Sequence, residues 1–339
     1  MIGKTNAASR NRPIDRIRDG AGSAEIPPGH GNIVSMKVIG PRMYFLTERG
    51  LTSGVMADQI DPERRNPNIP NVVQRVELPY GVESVFMQKT VCVAFELIDQ
   101  TYLPTHVDND EVLTIAVAIA LSLASVTEFV CQLRAHQRHT RAEGKAGRLS
   151  AAYVPHTANL DGKVRQSIAA LREVEVAIKK TTAHFYPKDM SNHRWDKKLK
   201  DALLAKHAQT DGFIDHVNSL WTAMDNVANH RNAMIHPNEE KSIKINDYEL
   251  VPPGVFIAPT IEILHPRSPV ARRDTAQFLE MQVDSIANVY QCLLGYMCDM
   301  NVRLLGEMIQ SEVTTLPDGG MRNGSKLVWT SNFAQPVTS

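Results

Sequence analysis

Val112 to Thr127 reads VLTIAVAIALSLASVT, a run without a single charge. A membrane-spanning helix needs roughly 20 such residues. This run is interrupted at once by Glu128 and is diluted by Thr114, Ser122, Ser125 and Thr127. Of the two readings, membrane span or deeply buried bundle helix, the shortness and the hydroxyls favour the second. Asp108-Asn109-Asp110-Glu111 supplies a capping side chain and an acidic first turn. The turns before His139 are basic, which suits the negative end of a helix dipole. The stretch therefore predicts one long core helix running to about His139.

Working outward, the helical period continues on both sides. Val85 to Asp99 predicts a helix that ends before Pro104, and Asp161 to His184 another, stopped by Tyr186-Pro187. Trp195 to Gln209 and Phe213 to Ile235 read as further helices. Between 241 and 265 the period changes to two. Ile243 and Ile245 alternate, as do Val255, Ile257, Ile261 and Ile263, which predicts a small hairpin with Pro259 at an edge. Ser268-Pro269 reads as the start of a last helix, whose stripe runs Leu279, Val283, Ile286, Tyr290, Leu293, Met297, Met300, Leu304. Such a stripe suits an internal core or packing across a dimer.

The domain reading is then a basic arm without structure at 1–31, an N-terminal region of no assignable chemistry at 32–81, a helical domain at 82–312, and a flexible tail at 313–339. Within the arm, Arg10, Arg12, Arg16 and Arg18 are available to RNA, although a solvated tail is the commoner meaning of such a run. In the N-terminal region only Met43 to Leu46 is β-prone.

Across the 339 residues, Lys+Arg and Asp+Glu balance at 37 each, so any attraction to nucleic acid must come from a local patch. Cys92, Cys131, Cys292 and Cys298 lie in apolar stretches without metal-ligand spacing, and read as buried, reduced thiols of a cytoplasmic protein. No metal or cofactor is implied.

The chemistry concentrates at Arg231-Asn232-Ala233-Met234-Ile235-His236, followed by Pro237. Asn232 and His236 are four apart and share a helix face, whereas Arg231 and His236 diverge by about 140° around the axis. Pro237 disfavours helix at His236, leaving the imidazole beside uncapped carbonyls that favour its protonated form. An arginine and a histidine at a helix end are often only capping groups. The alternative is a pair that grips a phosphodiester and moves a proton.

The string from Trp221 to Pro237, WTAMDNVANHRNAMIHP, resembles the signature of HEPN domains, R-[NDH]-x(3–5)-H, most often R-N-x-x-x-H. Ala120 to Val130, with Glu128-Phe129, resembles that family's first core helix, and residues 270–308 its closing one. The likeness covers roughly residues 85–310; the motif is specific and the rest is a matter of pattern. It implies a mainly α protein, a four- or five-helix bundle with the β insertion at 241–265, dimerising so that two motifs face one cleft. Many members are metal-independent endoribonucleases of toxin, phage-defence or RNA-processing systems. By resemblance, His236 is the general acid/base, Arg231 stabilises the scissile phosphate and Asn232 orients one of them. RNA and a second copy are the implied partners, with an antitoxin or other regulatory protein to restrain the activity. A toxin subgroup carries a modified tyrosine two residues after the histidine; here Pro237-Asn238 stands instead, which puts that control in doubt. Other members are non-catalytic RNA-binding or interaction modules, and that reading stays open.

Two basic stretches offer an RNA track. Arg134, Arg138 and Arg141 belong to the first, whose bland meaning is a solvated helix end. Trp195 and Lys197 belong to the second, where the tryptophan either stacks on a base or anchors its helix. Trp221 reads as core, and Asp225 as a brace for the motif.

Overall fold

A computed structural model describes residues 12–20, 22–145, 154–186, 195–207, 211–252, 255–303 and 309–333. Helix α1 (Pro13–Arg18) leads into a four-stranded antiparallel meander, β1 (Ile33–Ile39), β2 (Arg42–Thr47), β3 (Leu51–Met56) and β4 (Val72–Leu78), with α2 (Ala57–Ile60) between the last two strands. Ile39, Leu46, Leu51 and Leu78 turn one face of this sheet into the core. Lys37 fastens the same face to the next element: its Nζ donates to the carbonyls of Phe95 and Ile98 at 3.2 and 2.8 Å.

That element is a buried helix in three parts, α3 (Val85–Met87), a π turn (Gln88–Cys92) and α4 (Val93–Leu97). Helices α5 (Asn109–Lys145), α6 (Leu160–Phe185), α7 (Trp195–His207) and α8 (Asp211–Ile235) follow. Strands β5 (Ser242–Asn246), β6 (Glu249–Val251), β7 (Val255–Ile257), β8 (Thr260–Leu264) and β9 (Val270–Asp274) then precede α9 (Thr275–Met300). The chain closes with β10 (Ile309–Thr315) and β11 (Leu327–Phe333).

Helix α5 forms as its sequence predicts. Asp108 Oδ1 accepts from Glu111 N at 3.1 Å, and Val112, Ala116, Ile119, Ala120, Leu123 and Val126 make a fully buried stripe at helical spacing. Two of its hydroxyls are satisfied within the helix: Thr127 Oγ1 donates to Leu123 O, and Ser125 Oγ to Ser122 O. By length and composition Asn109–Ala142 is apolar enough to cross a membrane, yet 56% of its most apolar stretch is buried inside the protein. It packs against α6 and α9, and α6, α8 and α9 pack on one another.

The mainly α expectation is overturned. Helix makes up 51% of the described residues and strand 22%, in several antiparallel sheets, so the protein is mixed α/β rather than a bundle with one small hairpin. Residues 33–78 hid their strands because the outer face is apolar too: Met36, Val38 and Met43 are exposed, which erases the two-residue alternation. The insertion is larger than a hairpin, a three-stranded sheet in the order β5-β8-β9 with the separate pair β6-β7. Ser268-Pro269 leads into β9, not a helix; α9 is capped by Asp274, whose Oδ1 accepts from Gln277 N at 2.7 Å.

The supposed flexible tail holds the β10–β11 hairpin. Trp329 of β11 is buried, donates Nε1 to Leu97 O at 2.8 Å and stacks on Tyr102 at 4.7 Å between centroids. The arm reading also changes. Arg10 lies outside the described residues and Arg16 is exposed. Arg12 is paired with Asp15, while buried Arg18 sits 3.7 Å from Asp58 and 3.6 Å from Asp61. All four cysteines are free, but Cys131 is exposed rather than buried.

Candidate active site at the end of helix α8

Helix α8 is positioned by Val217, Leu220, Met224 and Val227, all buried. Its N-terminal half meets the end of α9, where Phe213 lies edge-on to Tyr296 at 5.8 Å. Its C-terminal half meets the beginning of α9, where the His230 ring lies 5.6 Å from Phe278. The helix ends where Pro237 dictates. His236 N still bonds Asn232 O at 3.0 Å, and a turn tied by Asn238 N to Lys241 O at 2.7 Å then reverses the chain into β5.

Asn232 and His236 are exposed and, one turn apart, share a face as the spacing predicts. Arg231 is half-buried beside them. Among the described residues no ion pair neutralises Arg231, and no side-chain hydrogen bond joins it to His236. Asp225 is exposed and holds none of them.

Beneath this end lies a polar cluster that sequence reasoning missed. Asn229 Nδ2 donates to Ser268 Oγ at 2.9 Å, Ser268 Oγ donates to Asn226 Oδ1 at 2.7 Å, and Arg267 Nη2 donates to Asn229 Oδ1 at 3.1 Å. His230 and His265 are each 4% exposed. Burial pushes the His230 pKa down to about 4, aided by His265 and opposed by a hydrogen bond to the Ser268 backbone. The His265 pKa is also lowered, first by burial and then by the positive charges of Lys241 and Arg267. His230 is therefore neutral at pH 7 and braces the helix rather than exchanging protons with substrate. The available signal was Asn226, Asn229 and His230 at helical spacing close to the end of α8.

The basic stretches divide. Arg134 is committed to structure, with Nε and Nη2 on Glu280 at 2.9 and 2.6 Å and Nη1 on Asp274 at 3.1 Å. Arg138 and Arg141 are exposed. Arg134 of α5 and His230 of α8 both reach the first turns of α9. Lys197 is exposed on α7, and the Trp195 side chain lies outside the described residues. Trp221 is half-buried against the core.

Chemically, the α8 end offers an imidazole, an amide and a guanidinium without a carboxylate partner. That set suits proton transfer and anion binding. Among the described residues no group of three or more His, Cys, Asp or Glu is placed to hold a metal. No family model, curated protein or solved structure matches the chain.

Proposed function

We propose that this chain is a HEPN-type endoribonuclease that cleaves RNA without a metal. One observation carries the reading: Asn232 and His236 are exposed together at the end of α8, with Arg231 alongside and no carboxylate neutralising it among the described residues. In the reaction the substrate's 2′-oxygen bonds to phosphorus and the P–O5′ bond breaks. His236 relays protons: the 2′-OH loses one and the leaving 5′-oxygen gains one. Arg231 offsets the charge on the phosphorane oxygens, and Asn232 orients the imidazole. The products are a 2′,3′-cyclic phosphate and a 5′-hydroxyl.

The roughly 140° between Arg231 and His236 favours a shared cleft between two copies, in which the arginine of one copy faces the imidazole of the other. RNA is the substrate, a homodimer the working unit, and an antitoxin-like partner the restraint. The four free cysteines suit action in the reducing cytoplasm, in a toxin or phage-defence setting. The same divergence favours a second reading if the chain acts alone, a non-catalytic RNA-binding module.

Purified protein incubated with mixed RNA in EDTA tests the proposal. Cleavage that leaves cyclic phosphate ends, and falls about 10²–10⁴-fold in both Arg231→Ala and His236→Ala, supports it. Intact RNA that remains bound replaces it with the module.

A further inference from the structure

Seven residues before His236, Asn229 returns to within about 20° of the same helix direction. It is buried because the turn between β8 and β9 lies over it, tied through Ser268 and Asn226. That tie fixes Arg267 on the His236 side of α8, exposed and held at 3.1 Å by the Asn229 amide oxygen. A second cation stands beside it. Ser242 pairs with Leu264, so the antiparallel register carries Lys241 to His265, whose Nδ1 accepts from Arg267 N at 3.2 Å.

Elsewhere this protein pairs its structural arginines with carboxylates: Arg64 with Asp58, Arg134 with Glu280, Arg272 with Glu249. Arg267 is held instead by a neutral oxygen. Among the described residues no carboxylate pairs with Arg267 or Lys241, and the adjacent Glu239 and Glu240 are exposed without ion pairs. A guanidinium fixed in place but left uncompensated, next to a half-buried lysine, is a receptor for an anion.

We propose that Arg267 and Lys241 form a subsite for a backbone phosphate of the RNA strand, beyond the one being cleaved. The inference rests on the nuclease reading for the identity of the strand. Asn229 and His236 are separated by about 10 Å along the axis, so the subsite favours a substrate of several nucleotides over a dinucleotide.

The probe is a short single-stranded 2′-O-methyl oligonucleotide, which cannot be cleaved, titrated by fluorescence anisotropy over a range of salt. Arg267→Gln and Lys241→Gln are each expected to weaken binding about three- to tenfold, and to reduce the slope of log affinity against log salt by about 0.7. Arg267→Lys should restore most of the slope. Lys241→Gln touches none of the Asn226–Asn229–Ser268 bonds, so it reads the charge even if Arg267→Gln loosens the turn. Wild-type affinity and slope in both glutamine variants overturn the subsite. These readouts need no catalysis: loss of the subsite with cleavage intact, and loss of cleavage with the subsite intact, are separate results.

Discussion

Asn229 and Ser268 share a 2.9 Å hydrogen bond across 39 residues of sequence, and through it the β8–β9 turn is fastened to the last turns of α8. Ser268→Ala removes the hydroxyl that serves both Asn226 and Asn229, leaving the buried Asn229 Nδ2 and the half-buried Asn226 Oδ1 unmatched. The expected cost is about 1–3 kcal/mol in urea unfolding. An unchanged midpoint would mean that the cluster is solvated and bears no weight.

Acid should weaken the fold through the buried histidines. His230 titrates near 4 when folded against an ordinary value of 6.5, and the pKa of His265 is lowered as well. Below 6.5 the unfolded chain takes up protons that the folded chain refuses. Stability is therefore complete above that pH and lost as pH falls towards 4, by about 3 kcal/mol for His230. Urea midpoints at pH 7 and pH 4.5 measure it. His230→Gln should flatten part of the difference, and an identical pH response in that variant would exclude the assignment.

Arg134 and its neighbours on α5 should separate into structural and binding roles. Arg134→Gln breaks the fork on Glu280 and the contact to Asp274, at an expected cost near 1 kcal/mol for so exposed a pair, with RNA affinity unchanged. Arg138→Gln and Arg141→Gln should leave stability alone and lower the salt-dependent affinity for RNA. The reverse pattern in anisotropy and melting would refute the division.

Trp329→Ala should cost about 3–5 kcal/mol, because it empties a buried site, removes the stack on Tyr102 and strands the Leu97 carbonyl. A deletion of residues 309–333 should unfold α3–α4 rather than merely shorten the protein. Near-native thermal stability of that deletion would show the hairpin to be an appendage.

The long helices were legible because their apolar spacing is unbroken: Val112 to Val126 on α5 and Val217 to Val227 on α8 are buried as their period requires. The strands were not legible where burial is one-sided but the exposed side is also apolar, as with Met36, Val38 and Met43. Trp329 carried no pattern of its own, since its partner, Leu97, is 232 residues away. At the site, Asn232 and His236 follow directly from helix geometry. Arg267 and Lys241 reach the same end only through strand pairing, which no local spacing reveals.

The bond from Trp329 to Leu97 has a consequence for the protein's birth. A ribosome adding about 5–20 residues per second needs on the order of ten to fifty seconds to cover the 232 residues between them. Throughout that interval the Leu97 carbonyl and the face of α4 that meets β11 await their partner. That face of α4 is therefore expected to close only after β11 has been made.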